Sequence, residues 1–184
     1  EMRTSFLDMW HKIMKLKTNE SMITVLDVFE ANETAYAIAE ADGSQTLTEF
    51  LYENNGTVDW NVITEKLFPV LDAIDALHKQ GLIHGAVSPD TLFLCGNGQF
   101  KLWGFGINEI RQTEGKLGAD IRPGYAAIEQ YDKSYALSEA TDVYGIIAVL
   151  YKCITGCTPI DAEIRMVDDK LEIPAVFARE LPDY

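Results

Sequence analysis

The reactive side chains of this sequence are few and do not gather into a familiar set. Its three cysteines, Cys95, Cys153 and Cys157, are sparse and odd in number. Cys153 and Cys157 stand four apart, yet Gly156 between them marks a helix stop, and no His or Cys pair completes a zinc set. Buried thiols of a reducing cytosol are the better reading, and neither a metal nor another cofactor is expected. His84 sits between apolar residues, where a lone histidine belongs to the core more often than to a ligand shell. Asp142, near a helix start, has the placement of a dipole or cap residue. Asp90 is the carboxylate closest to His84 along the chain. Spacing alone therefore assigns no reaction.

The elements that must position these residues belong to a chain of 184 residues, enough for one domain or for a large and a small lobe. With 47% hydrophobic residues it can bury a sizeable core. The net charge of −14 argues against nucleic acid, whose binding is driven by Lys and Arg neutralising phosphates, and against unaided docking on an anionic membrane. The longest apolar run, Tyr144 to Tyr151, is far too short to span a bilayer, and no signal peptide is visible. A chain that begins at Glu1 rather than Met is expected to be part of something longer.

Periodicity predicts a first helix opened by a Ser5–Asp8 capping box, with Phe6, Trp10, Ile13 and Met14 on one face. Two strands, Ile23 to Phe29 and Thr34 to Ala39, flank the polar turn Glu30-Ala31-Asn32-Glu33. A short helix follows a second box, Thr46 to Glu49. The next helix, about Asn61 to Gln80, should bend at Pro69 and stop at Gly81. Strands near Leu92–Cys95 and Phe100–Trp103 flank Gly96-Asn97-Gly98. After an irregular stretch, Ser138 caps a helix apolar on most sides, which belongs in the centre of a domain, and Gly156 closes it. The order is α+β, with strands paired locally.

Four motifs carry a resemblance. Leu82-Ile83-His84-Gly85-Ala86-Val87-Ser88-Pro89-Asp90-Thr91-Leu92-Phe93-Leu94 resembles the catalytic loop of protein kinases, usually L-I-H-R-D-I-K-P-E-N-I-L-L. Nine residues on, Trp103-Gly104-Phe105-Gly106 resembles the DFG motif with its preceding residue. Gly124-Tyr125-Ala126-Ala127-Ile128-Glu129-Gln130 resembles the end of the activation segment, and Thr141-Asp142-Val143-Tyr144 the start of the large lobe's central helix. Four motifs in order, at the right spacing, identify the chain as similar to bacterial serine/threonine protein kinases. The resemblance implies one partial kinase-like domain over 1–184, mainly an α-helical large lobe plus a helix and hairpin of the small lobe. Residues 1–40 would be the small-lobe remnant, 41–43 the hinge, and 44–184 a large lobe without its last helices. The Gly-rich loop and the strand carrying the ATP-binding Lys are absent.

The same resemblance shows where the chain departs from the family pattern. Ala86 stands where the Asp that accepts the substrate's proton is expected, and Gly85 where an Arg reads a phosphorylated loop. Ser88 replaces the Lys that steadies the transferred phosphate. Thr91 and Gly104 replace the two metal ligands, and Met9 falls at the Glu that pairs with the ATP-binding Lys. Phosphoryl transfer is mostly positioning and charge neutralisation, so these losses bear directly on it. Phe93 would lie under the adenine, with Ala39 at the gatekeeper and Ala41 at the hinge, making a degenerate adenine pocket. His84, Phe105, Gly106, Glu129 and Asp142 match structural positions. Between Ile107 and Gln130 the sole Ser or Thr is Thr113, so a phosphorylation switch there falls to Thr113 or Tyr125.

The resemblance with these departures implies a catalytically inactive pseudokinase domain, not an enzyme. It would act as a cytoplasmic protein-interaction or regulatory module, pairing with another kinase or a second copy of itself, with no nucleic-acid partner and no membrane contact from this segment. A membrane anchor elsewhere in a parent protein stays open. The alternative is an ATP-dependent serine/threonine phosphotransferase, or a nucleotide sensor, with unconventional site residues.

Overall fold

The computed structural model describes residues 2–16, 20–40, 45–105, 121–132 and 134–175. Helix α1 runs Met2–Met14 and begins a turn before Ser5, so the expected Ser5–Asp8 box does not open it. Its apolar face is as expected, with Trp10 and Ile13 buried and Phe6 and Met14 packed on the core. Strands β1 (Val25–Ala31) and β2 (Thr34–Ala39) form an antiparallel hairpin. The strands run closer together than expected, leaving a two-residue turn. Asn32 and Glu33 take φ of 51° and 58°, the left-handed geometry whose twist suits a hairpin. Val25 and Val28 face inward, while Leu26, Phe29, Tyr36 and Ile38 stay exposed.

The short strand β3 (Gln45–Thr46) leads into α2 (Leu47–Glu53) through the expected box. The backbone N–H of Thr46 donates to the Glu49 carboxylate at 2.7 Å, and the N–H of Glu49 donates to Thr46 Oγ1 at 3.2 Å. The predicted long helix is present in three pieces: α3 (Trp60–Val62), a π-turn (Ile63–Leu67) and α4 (Pro69–His78). Pro69 has no N–H, and its ring would press on a carbonyl one turn back. The chain answers by widening rather than simply bending, so that the N–H of Phe68 reaches Ile63 O at 3.1 Å. Ile63, Leu67, Val70, Ile74 and Leu77 all remain buried. Gly81 ends the turn as expected, donating to His78 O at 2.8 Å.

Strands β4 (Leu92–Leu94) and β5 (Phe100–Leu102) join β3 in a three-stranded antiparallel sheet, order β3-β4-β5. A bridge from Met22 to Leu102 ties it to the chain entering the hairpin. Helix α5 (Glu139–Thr155) and the short α6 (Ala162–Val167) complete the described elements. Helix α5 enters the core along one face, as its apolar composition predicts, but not on all sides. Ile146, Val149 and Cys153 are buried, but Val143 and Ile147 are 47% and 58% exposed. Among the described residues that side is only partly covered, by the 171–173 segment. An apolar groove runs along it, lined by Ile147, Leu150, Ile154, Leu171 and Ile173. One continuous core joins α1, the hairpin, α2, α4, the sheet and α5.

Candidate functional site

The stretch Leu82–Thr91 is held from below by α5. Asp142, in the first turn of α5, is 1% exposed. A carboxylate so buried needs partners for its charge. Its Oδ2 accepts from the backbone N–H of His84 at 2.8 Å, and its Oδ1 from that of Gly85 at 2.8 Å. His78 Nε2–H, at the end of α4, donates to Oδ2 at 2.8 Å. Asp142 is thus an anchor for loop backbone, more than a helix cap. Gln130 adds a second tie, donating to Gly85 O at 2.8 Å while accepting from Ala127 N–H at 2.9 Å. Sequence reasoning did not single out His78 or Gln130. The available signal for His78 was that a helix stopping at Gly81 delivers residue 78 to the foot of the loop.

His84 is fully buried and packs at a 45° tilt on Phe105, ring centroids 4.5 Å apart. Its Nε2–H donates to Trp103 O at 3.2 Å, and its Nδ1 accepts from Ala86 N–H at 3.3 Å. Burial pushes its pKa down to about 4, the Arg122 charge adding to the effect while Asp142 and the Trp103 carbonyl oppose it. The ring is therefore neutral. Phe105 also meets Trp10 at 5.2 Å, and Trp10 meets Trp103 at 4.9 Å. This aromatic stack links α1 to the loop. Met9, one residue before Trp10, packs half-buried on the same core.

The positions that depart from the family pattern are turned to local use. Thr91 is 2% exposed. Its Oγ1 donates between Ala86 O and Ser88 O, both at 3.0 Å, and accepts from Ser88 N–H at 3.0 Å. That hydroxyl knits the loop together. Gly104 has φ of +76°, and a Cβ there would lie 2.9 Å from Thr91 Cγ2. Ala86 and Ser88 are both buried. Arg122 Nη1–H donates to Ser88 Oγ at 3.0 Å and lies 3.8 Å from an Asp90 carboxylate oxygen. Asp90 in turn accepts from Thr48 Oγ1 at 2.6 Å and is mostly exposed.

The remaining expected positions are scattered. Phe93 is half-buried in β4 opposite Lys101 and Thr46, and Ala39 ends β2. Glu129 accepts from the Thr141 hydroxyl in the first turn of α5. Ala41, Gly106, Thr113 and the proposed hinge at 41–43 lie outside the described residues. Among the described residues no group of three His, Cys, Asp or Glu side chains could hold a metal ion. With Thr91 committed to backbone and Gly104 without a side chain, these two positions do not fit a phosphate-bridging metal.

A mainly helical body, a small hairpin lobe and a loop clamped by a buried aspartate define a kinase-type scaffold. The protein kinase domain family matches residues 8–180, and the chain belongs to that family. It is similar to a probable serine/threonine-protein kinase, CPE1738, of Clostridium perfringens, 25% identical over 178 residues, covering 90% of this chain and 25% of that protein. It is also similar to serine/threonine-protein kinase PknL of Mycobacterium tuberculosis, 27% identical over 148 residues, 79% of this chain and 37% of that one. The solved structure titled "PpkA-294 apo form" aligns with a TM-score of 0.73 and 25% identity, over 96% of this chain and 63% of its own. The chain spans about a quarter of the first of these relatives.

These findings correct the expectation that the chain is not an enzyme. The relatives that carry the match are named as serine/threonine-protein kinases, which are enzymes. The physical reason is that a residue missing from one position in a motif is not a group missing in space. Ser88 lacks the loop's positive charge, yet a guanidinium from another segment bonds to it. No helix among the described residues is long and apolar enough to cross a membrane.

Proposed function

We propose that this chain binds ATP and serves serine/threonine phosphotransfer with an unconventional set of site residues. The observation that carries the reading is the retained scaffold of the loop within a kinase-family chain. Asp142, itself bonded by His78, and Gln130 hydrogen-bond to the backbone of His84 and Gly85. Positioning is most of what phosphoryl transfer asks of a protein. The loop still presents a carboxylate, Asp90, oriented by Thr48 and Arg122. Among the described residues it is a carboxylate of the loop, mostly exposed, that could accept a proton from a substrate hydroxyl.

A nucleotide sensor is the second reading. It is favoured by the enclosed Thr91 hydroxyl and by Gly104, which leave ATP without a metal at those positions. In that reading nucleotide binding alters how the domain meets a protein partner. The test joins calorimetric titration with ATP to a transfer assay on serine and threonine peptides. Binding with transfer that is lost in Asp90→Asn supports the first reading. Binding without transfer leaves the sensor. Absence of both refutes the two together.

A further inference from the structure

We propose that the groove along α5 is a docking site for an amphipathic helix of another protein, one with an apolar stripe and basic flanks. The inference stands apart from the phosphotransfer reading, because the residues that line the groove are not those of the loop.

The groove has a floor and a wall. Its floor is Ile147, Leu150, Tyr151 and Ile154, at the i, i+3, i+4, i+7 spacing of one helix face. Its wall is Leu171 and Ile173, and the Tyr151 hydroxyl donates to Glu172 O at 3.1 Å, tying the wall to the floor. About 440 Å³ lies between them, in the range of sites that enclose an apolar ligand. A second hollow, of about 380 Å³, shares Tyr144 and Arg165 with the first and extends it to Met166 and Ile128. Arg165 is fixed there. Its Nη1–H donates to the Tyr144 hydroxyl at 3.1 Å, and its Nε–H and Nη2–H donate to the Asp169 carboxylate, both at 3.0 Å. Together the two hollows follow α5 from Ala140 to Ile154. That is about 21 Å at 1.5 Å per residue, the length of a helix of roughly four turns.

An apolar groove of this length takes the apolar stripe of a helix. Charge decides which helix. The segment from Asp161 to Glu172 holds five carboxylates and two basic side chains. Both basic groups are paired, Arg165 as above and Lys170 with Asp168 at 2.6 Å. Lys152, the basic residue of α5, donates to Gly156 O at 2.7 Å. An excess of negative charge is left beside the groove, with Glu163 and Glu172 exposed, on a chain of net charge −14. Basic flanks on an incoming helix are attracted by that field. The same field disfavours other occupants. A second copy brings the same carboxylates with it, and an anionic lipid surface is repelled. Residues 176–184 carry Glu180 and Asp183 against the single Arg179.

The experiment is fluorescence anisotropy of the full chain with a labelled synthetic helix of about fourteen residues, its leucines in one i, i+3, i+4, i+7 stripe and lysines elsewhere. One control scrambles the order to break the stripe, and another replaces lysine by glutamate. The striped lysine peptide should bind roughly tenfold or more tighter than either control, and more weakly as salt rises. Ile147→Asp and Ile173→Asp change exposed positions, which spares the fold. Each should weaken the lysine peptide roughly tenfold, although each adds the charge that would strengthen a purely ionic attachment. Glu163→Lys/Glu172→Lys should weaken it too and flatten its salt dependence.

Failure of the lysine peptide to bind overturns the inference. So does equal binding of the scrambled peptide, or unchanged affinity in both aspartate variants, since charge would then act without the groove. A glutamate peptide that binds as tightly removes the basic flanks. A wild-type dimer in sedimentation that Ile147→Asp makes monomeric gives the groove to a second copy instead. A roughly tenfold gain in peptide affinity in Val176→Asp/Phe177→Asp gives it to the chain's own 176–184 segment, and either result overturns the proposal.

Discussion

The two halves of the loop from Leu82 to Thr91 are held in opposite ways. The first half, His84 and Gly85, is gripped through its backbone by the side chain of Asp142, a residue 57 and 58 positions away. The second half, Ala86 to Thr91, is gripped by its own side chain, Thr91, and by Arg122. In the first half His84 keeps the kinase pattern, and Gly85, which departs from it, is held through a backbone N–H that any residue type would supply. In the second, positions that the pattern gives to chemistry have been recruited to shape it. Holding the loop and acting from the loop are therefore separable demands, and a sequence can keep one while the other is rearranged.

The contrast can be broken most forcefully at its anchor. Asp142→Ala leaves two backbone N–H groups and His78 without their buried acceptor, and stability should fall by about 3–5 kcal/mol in urea denaturation. A loss under about 1 kcal/mol would show that water replaces the carboxylate and that the anchor is not what holds the first half.

In the second half, Gly104→Ala adds a Cβ at positive φ and against Thr91 Cγ2. The expected cost is roughly 2 kcal/mol, part conformational and part steric. Combined with Thr91→Ser, which keeps the hydroxyl but removes the methyl, the penalty should drop by about half in a double-mutant cycle. Strict additivity would mean that the two positions do not press on each other.

The junction of the halves, His84, should show itself through pH. Its folded pKa, near 4, lies below the unfolded value of about 6.5, so the unfolded chain binds the proton more readily. Stability from this group is complete above pH 6.5 and is lost as pH falls toward 4, with about 1–2 kcal/mol gone by pH 5. Denaturation at pH 7.5 and pH 5 should show the drop in the wild type and a smaller one in His84→Gln. The mildest change is Thr48→Ala, which frees exposed Asp90 and should alter stability by less than about 0.5 kcal/mol. A larger effect would move Asp90 from the accessible surface into the structural set.

Much of the scaffold was legible because it is written in local or motif form. The Thr46–Glu49 box and the helix stops at Gly81 and Gly156 need only residue types and spacing, whereas Asp142 read by placement alone is a dipole or cap residue and its anchoring role came only with the resemblance. The errors lie where distant segments decide. Helix α5 reads as central from its composition, but Val143 and Ile147 remain largely exposed, and composition counts apolar residues without saying what covers them. Pro69 reads as a bend, whereas the π-turn over Ile63–Leu67 absorbs it, a choice made by five apolar residues that must all reach one core. The non-enzyme expectation came from reading each motif position alone. Arg122 reaches Ser88 from 34 residues away, and no spacing rule announces that contact.

The contact between Thr91 and Gly104 also gives the site a direction in time. Any single replacement of Gly104 by an L residue meets the Thr91 methyl and an unfavourable backbone. Losing the Thr91 hydroxyl strips the loop of its internal knot. The two residues are therefore coupled, and the cost of changing one depends on which residue stands at the other. The pair acts as a ratchet: any side chain at residue 104, including the carboxylate that the kinase pattern places there, meets a left-handed backbone and the Thr91 methyl at once, and a change at Thr91 relieves only the second.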